Sequence, residues 1–338
     1  MKLLTVTVPC YNSQDYMANC IESLLPGGDR VEIIIIDDGS KDRTGAIADG
    51  YAAKYPDIVK VVHQENGGHG EGINQGLRHA TGTYFKTVDS DDTLSDDFLR
   101  FLDLLEDCEK QGGVDLFVTN YYYVHADGRG DRSINFSNAL PEGRIFTWDE
   151  TRHFRPDQIL MIHSCTFRTA LLRQTGIELP QHLFYEDNYF IYGNLQYTER
   201  LYYMNADLYR YAIGREGQSV QKNVMSKRYP HQIRSTELCF TCCHLDGIES
   251  GRKRAYMKHE MLTMFGIAIL FARLNRAEAE QVERDLDQMW ANCTAFDAKW
   301  ARHFRYRTPL RAISVHGRGG AAFSRAFYRF AHHVVRFN

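Results

Sequence analysis

The chain has 338 residues, 43% hydrophobic, 25% charged and 12% aromatic, with a formal net charge of −3. That composition is enough to bury a full core, and it excludes a disordered, collagen-like or small disulfide-stapled protein. The charge is unevenly spread: residues 301–338 hold eight Arg and no Lys, Asp or Glu, which leaves −11 on the rest, 32 basic against 43 acidic residues.

In chain order, apolar runs predict strands over residues 3–8, 31–36, 59–63, 84–88 and 116–120. Residues 31–36 are a continuous run, as in a strand buried on both faces of a parallel sheet. Helices are expected between them: over 13–25 with Asn12 or Ser13 as cap, over 44–54, over 71–80, and after a Ser95 cap through Phe98, Leu99, Phe101, Leu102 and Leu105. This alternation predicts an α/β fold, an open and mostly parallel sheet flanked by helices, with ligands bound beyond the carboxyl ends of its strands. Beyond residue 123 the rhythm breaks. Residues 125–160 read as a polar, loop-rich excursion, 162–220 as renewed strand and helix, 226–300 as a helical extension and 301–338 as a basic tail, opening with a short strand near residue 312.

No apolar run approaches the roughly 18 residues of a spanning helix, since the longest, 264–272, ends at Arg273. The first dozen residues lack a signal-peptide core, so a cytoplasmic protein is expected. The eight cysteines are scattered, and Cys239, Cys242, Cys243 and His244 lack a second pair at zinc-site spacing; buried helix thiols are the expectation.

Three clusters stand where the ligand edge of the sheet should be. Asp37, Asp38, Gly39 and Ser40 follow the second strand, where two carboxylates must be exposed or paired. Asn66, Gly67, Gly68, His69, Gly70, Glu71 and Gly72 follow the third, and glycines there let backbone approach a phosphate-bearing ligand at a helix start. Asp89, Ser90, Asp91 and Asp92 follow the fourth; three carboxylates in four residues repel one another unless a cation joins them. The Asp-x-Asp spacing suits Mg²⁺ or Mn²⁺ held against a diphosphate.

Taken in order, TVTVPCYN, EIIIIDDGSKDRT, NGGHGEGIN and ATGTYFKTVDSDD resemble the nucleotide-sugar half of a family 2 glycosyltransferase of the GT-A fold, over roughly residues 4–220. The resemblance implies a donor-binding half over 1–123 and an acceptor half over 124–225. It places Pro9, Tyr11 and Asn12 along the base and ribose, with Asp38, or less readily Asp37, on the uracil ring. Gly67, Gly68 and Asn74 belong to the donor loop, and Asp89 and Ser90 face the donor, with Asp91 and Asp89 on a divalent cation, Mn²⁺ or Mg²⁺. Many members carry Arg before the loop's Asn; here Ile73 precedes Asn74, so a positive charge near the diphosphate is missing or comes from elsewhere.

Transfer to a hydroxyl also requires a base. The resemblance assigns Asp187, with Glu186 as alternate, in the FYEDNYF segment, and lets Arg215 close over the diphosphate. His163 is a minor candidate near the acceptor. The implied activity is inverting transfer of a hexose or N-acetylhexosamine from a UDP-sugar to a glycan or lipid-linked acceptor in cell-surface polysaccharide synthesis.

Two alternatives are a binding protein of the same fold without turnover and, less readily, a sugar nucleotidyltransferase. The latter shows a glycine-rich, Arg-containing loop after its first strand, where this chain reads VPCYNSQD. In the tail, Phe323, Phe327, Phe330 and Val334 interleave with Arg325, Arg329 and Arg336, a pattern suited to peripheral contact with anionic lipid on the inner face of the plasma membrane. The acidic remainder opposes nucleic acid as a partner.

Overall fold

A computed structural model describes residues 2–125, 128, 130–214, 221–317 and 319–326. The chain divides into two compact units, Met1–Arg215 and Glu216–Asn338.

The first unit begins with β1 (Leu4–Cys10), α1 (Met17–Leu24), β2 (Val31–Asp38), α2 (Thr44–Lys54), β3 (Val59–Gln64), α3 (His69–His79) and β4 (Tyr84–Thr87). It continues through β5 (Thr93–Leu94), α4 (Phe98–Lys110), β6 (Leu116–His125), β7 (Arg132–Ile134), β8 (Ile145–Phe146), β9 (Cys165–Arg168), α5 (Thr169–Thr175), α6 (Glu186–Leu195) and β10 (Leu201–Ile213). The strands form one sheet in the order β3-β2-β1-β4-β9-β6-β10-β5, with β7 on β6 and β8 on β10. β3, β2, β1 and β4 are parallel neighbours, as are β6 and β10. β9 runs against both β4 and β6, so those two strands point the same way.

All residues of β1 and β2 are buried, as the unbroken apolar run requires of central strands covered on both faces. The polar residue near the start of β2, Glu32, is satisfied. It accepts hydrogen bonds from Thr5 Oγ1 (2.7 Å) and from Thr81 N and Oγ1 (2.7 and 2.9 Å), and it pairs with Lys60. One carboxylate thus joins β1, β2, β3 and the turn before β4. On the face of β1 that carries Thr5, α3 lies so close that a Cβ on Gly76 would stand 2.1 Å from Thr7 Oγ1.

β4 and β9 pair only at Tyr84–Arg168 and Phe85–Phe167. The next residue of β4, Lys86, is buried and sends its ammonium to the carbonyls of His163 (2.8 Å) and Cys165 (3.4 Å) in place of ladder bonds. The sheet therefore parts at its ligand edge around a lysine whose pKa burial pushes down to about 8.

Two expected helix starts are corrected. α1 begins at Met17, because Asn12 and Ser13 are engaged by tertiary partners described below. α4 begins at Phe98 after Asp97, while the Ser95 amide bonds the Leu208 carbonyl and its buried hydroxyl caps nothing.

The second unit comprises α7 (Lys222–Lys227), α8 (Tyr229–Thr241), α9 (Gly251–Leu274), α10 (Ala279–Phe296), α11 (Ala298–Arg307) and α12 (Leu310–Ile313). Its core holds Met257, Met261, Phe265, Met289, Trp290 and Phe304, with Phe265 stacked on Trp290 at 4.6 Å between ring centroids. Cys239, Cys243 and Cys293 are buried, and no disulfide forms among the eight cysteines. His244 stacks on Phe296. The strand expected near residue 312 is instead α12, followed by helical residues 319–326. Buried Arg273 on α9 fixes that segment by pairing with Glu283 and donating to the Ile313 carbonyl and Ser324 Oγ. Phe327, Arg329, Phe330, Val334 and Arg336 lie outside the described residues. Among the described residues no helix is long and apolar enough to cross a membrane.

Candidate functional site

The loops after β1, β2 and β4 are knit together at the carboxyl ends of their strands. Asn12 sits at φ 50°, a left-handed conformation that Asn tolerates better than most residues. Its amide donates to Ser40 Oγ (3.0 Å) and its side-chain oxygen accepts from the Lys41 amide (2.8 Å). The Ser13 amide donates to Thr44 Oγ1 (2.7 Å), and its hydroxyl meets that of Ser90 at 2.9 Å. Pro9, next to the last residue of β1, is buried, whereas Tyr11 is 52% exposed at the lip.

The two carboxylates that end β2 are both occupied within the protein. Asp37 accepts from the Ser40 amide (3.1 Å) and meets His63 Nδ1 (2.9 Å); burial pushes its pKa up, but these bonds outweigh it and hold the group below the usual value. Asp38 carries the glycine-rich loop. Its Oδ1 accepts from Gln64 Nε2 (2.6 Å) and Gly67 N (2.7 Å), its Oδ2 from Asn66 Nδ2 (3.0 Å) and Gly68 N (2.9 Å). A contact from Asp38 to a base ring would have to replace one of these four bonds.

Two residues expected at the donor, Asn74 and Ser90, are buried and have partners within the protein. Asn74 donates to Glu71 and to the Leu179 carbonyl (2.9 Å), and accepts from the Leu179 amide (3.0 Å), so it ties α3 to the segment before α6. Ser90 faces Ser13 inside the loop cluster. Ile73 is buried in α3 and has no charged stand-in at its own position. Arg215 lies outside the described residues.

The cation in contact with Asp89 is His69, the first residue of α3. Its Nε2 meets Asp89 Oδ1 at 3.0 Å and its Nδ1 meets Glu186 Oε1 at 2.8 Å. Burial pulls the imidazole pKa down, but the two carboxylates prevail and hold it well above 6.5. Asp89 responds in kind: burial raises it, yet the His69 charge holds it below the usual carboxylate value.

Glu186 and Asp187 open α6 behind Tyr185, whose φ of 65° turns the chain sharply into the helix. Carboxylates in a first helical turn face the positive end of the dipole. Glu186 is buried and bound to His69. Asp187 is less enclosed and takes a weak contact from Asn188 Nδ2 (3.2 Å). Burial, and then the neighbouring Glu186 charge, push the Asp187 pKa up to about 7, where a general base exchanges protons readily near neutral pH.

One carboxylate oxygen of Asp89, one of Asp92 and a ring nitrogen of His163 lie within 4.8 Å of one another. His163 is buried against Tyr209 and Tyr211, its pKa pushed down by burial to about 4, and its Nδ1 has no hydrogen-bond partner among the described residues. The carboxylate oxygens suit Mg²⁺ or Mn²⁺, and a neutral imidazole beside them favours the transition metal Mn²⁺ over Mg²⁺. Asp92, however, already accepts from Tyr209 OH (2.6 Å) and Ala212 N (2.8 Å). Burial, then the Asp89 and Asp91 charges, raise its pKa well above normal, so it favours its proton. Asp91 is partly exposed on the same turn. The structure thus brings His163 to the acidic cluster read from sequence, with Asp92 of that cluster acting as an anchor to β10.

The contacts of His69 and Lys86 escape a reading of spacing, because the partners of each lie far away in the chain. Only the glycines around His69 hinted at close packing, and a Cβ on Gly70 would stand 2.9 Å from Glu186 Cγ.

The family model for glycosyl transferase family 2 matches residues 5–173. The uncharacterized glycosyltransferase EpsJ of Bacillus subtilis is 30% identical over 216 residues, 62% of this chain and 60% of EpsJ. The poly(ribitol-phosphate) beta-N-acetylglucosaminyltransferase TarS of Staphylococcus aureus is 28% identical over 230 residues, 67% of this chain and 38% of TarS. The aligned stretches therefore span less than two thirds of either relative. Among solved structures, TarS 1-349 in complex with UDP-GlcNAc superposes with a TM-score of 0.68 at 22% identity, over 98% of this chain and 92% of that one. The likeness identifies the fold as the GT-A type.

Proposed function

The chain belongs to glycosyl transferase family 2, and on that premise we propose that it moves a hexose or N-acetylhexosamine from a UDP-sugar to a hydroxyl of a glycan or lipid-linked acceptor, with inversion at the anomeric carbon. The observation that carries this reading is the run Asp89–His69–Glu186, which brings the acidic turn after β4 to the start of α6, where Asp187 has a pKa near 7. A solved TarS complex contains UDP-GlcNAc, and another relative, GgaB of Bacillus subtilis, is named for minor teichoic acid biosynthesis, which supports a UDP-linked donor and a cell-surface polymer as product.

In this account Pro9, Tyr11 and Asn12 line the base and ribose, and Asp38 or Asp37 reaches the base ring by giving up an internal bond. Gly67 and Gly68 bring backbone against the donor, Arg215 adds charge at the diphosphate, and Asp89 and Asp91 hold the divalent cation. A cation there would offset the charge that gathers on the departing diphosphate. Asp187 accepts the acceptor hydroxyl proton as that oxygen bonds to the anomeric carbon, and the electron pair of the breaking C–O bond leaves with UDP. Attack from the face opposite the leaving group inverts the centre.

Release of UDP from UDP-sugars, with water as a slow acceptor, tests the reading. Wild type should release UDP from one or more of UDP-GlcNAc, UDP-glucose and UDP-galactose, and Asp187→Asn should be at least about 100-fold slower. Equal rates in the two proteins would remove Asp187 as the base.

Attachment to anionic lipid on the inner face of the plasma membrane belongs to the same proposal. Arg302, Arg307 and Arg311 are exposed in the second unit, as are Tyr306, Val315 and Phe323, a mixture suited to phosphate headgroups and their acyl boundary.

A further inference from the structure

We propose that His69 is a positioning residue that couples the two halves of the site, holding Asp89 on one ring nitrogen and Glu186 on the other. This role rests on the transferase reading above. Asp89 is 20 residues away in the chain and Glu186 is 117 away, yet both carboxylates lie within 3.0 Å of the same imidazole. An imidazole is rigid, so the angle between its two nitrogens fixes the direction of one carboxylate relative to the other.

The backbone around the ring is equally constrained. The His182 amide donates to the Gly67 carbonyl (2.8 Å), which joins the glycine-rich loop to the segment before α6. Gly70 lies against Glu186 and Leu179 with no room for a Cβ, so the start of α3 sits directly on the start of α6. The loop that approaches the donor is therefore the same loop that orients the helix carrying Asp187. Without the ring, two acidic side chains would be left to orient independently, each with its own cost in alignment. Supporting residues of this kind typically change affinity or rate by about 10- to 100-fold.

Two substitutions separate the two contacts. An Asn amide reaches about as far as Nδ1 and so retains the Glu186 side, while a Gln amide reaches about as far as Nε2 and retains the Asp89 side. Full-length wild type, His69→Asn, His69→Gln and His69→Ala are compared by calorimetric binding of UDP in Mn²⁺, by UDP release from saturating UDP-GlcNAc or whichever UDP-sugar wild type turns over, and by thermal unfolding.

The coupling role predicts a crossover. His69→Gln should bind UDP within about 3-fold of wild type but release it at least about 30-fold more slowly, whereas His69→Asn should bind about 10-fold more weakly and keep turnover within about 3-fold. His69→Ala should lose both. All three matching wild type, or all three equally impaired with a lowered unfolding midpoint, would overturn the coupling alone, the second by showing a purely structural role. A wild type that binds no UDP and releases none would overturn the transferase reading, and this role with it.

Discussion

At the scale of single residues, the chemistry turns on carboxylates made unequal by their surroundings. Asp187, raised to about 7 by burial and the Glu186 charge, works as a base only when ionised. Turnover should therefore fall about tenfold per pH unit below 7 and level off above it. Removing the Glu186 charge with Glu186→Gln lowers the Asp187 pKa, so that limb of the rate profile should move to lower pH; a shift to higher pH would contradict the assignment. Asp91 and Asp92 make a second contrast. Asp92 is buried and favours its proton between Tyr209 and Ala212, so the neutral isostere Asp92→Asn should cost less than about 1 kcal/mol in unfolding and keep UDP binding. Asp91→Asn should lower turnover by about 100-fold or more. The acidic turn was legible because three carboxylates in four residues are costly without a purpose. His69 was not, since a histidine among glycines gives no sign of partners 20 and 117 positions away.

At the scale of elements, the central strands and α2 were legible, and the starts of α1 and α4 were not. An apolar run such as residues 33–36 of β2 can be stable only between two covered faces, which fixes its place in the sheet. Ser13 and Ser95 have the composition of caps, but tertiary partners and burial claim them. The reversed β9 between β4 and β6 was equally hidden, since four residues carry no local record of their neighbours' direction. The packing of these elements makes its own predictions. Glu32→Ala would strand Thr5 and Thr81 and should destabilise the fold by about 3 kcal/mol, measured by denaturant unfolding. Gly76→Ala would force a methyl into Thr7 and should cost about 2 kcal/mol or more.

At the scale of the whole molecule, the chain joins an acidic sequence to a basic C-terminal segment, and this asymmetry was plain from composition. What covers the segment's basic side was not, because charge alone does not choose between lipid and solvent. Full-length protein should float with vesicles containing phosphatidylglycerol and stay behind with neutral phosphatidylcholine; truncation at Arg302 should abolish flotation, and equal flotation of both proteins would remove the segment as an anchor. The central claim, however, is a UDP-sugar site organised by the acidic turn after β4. Calorimetric titration of UDP with and without Mn²⁺, on wild type and Asp91→Ala, addresses it most directly. The account predicts binding that strengthens with Mn²⁺ in wild type and loses that gain in Asp91→Ala. Absence of UDP binding in wild type under both conditions would contradict it.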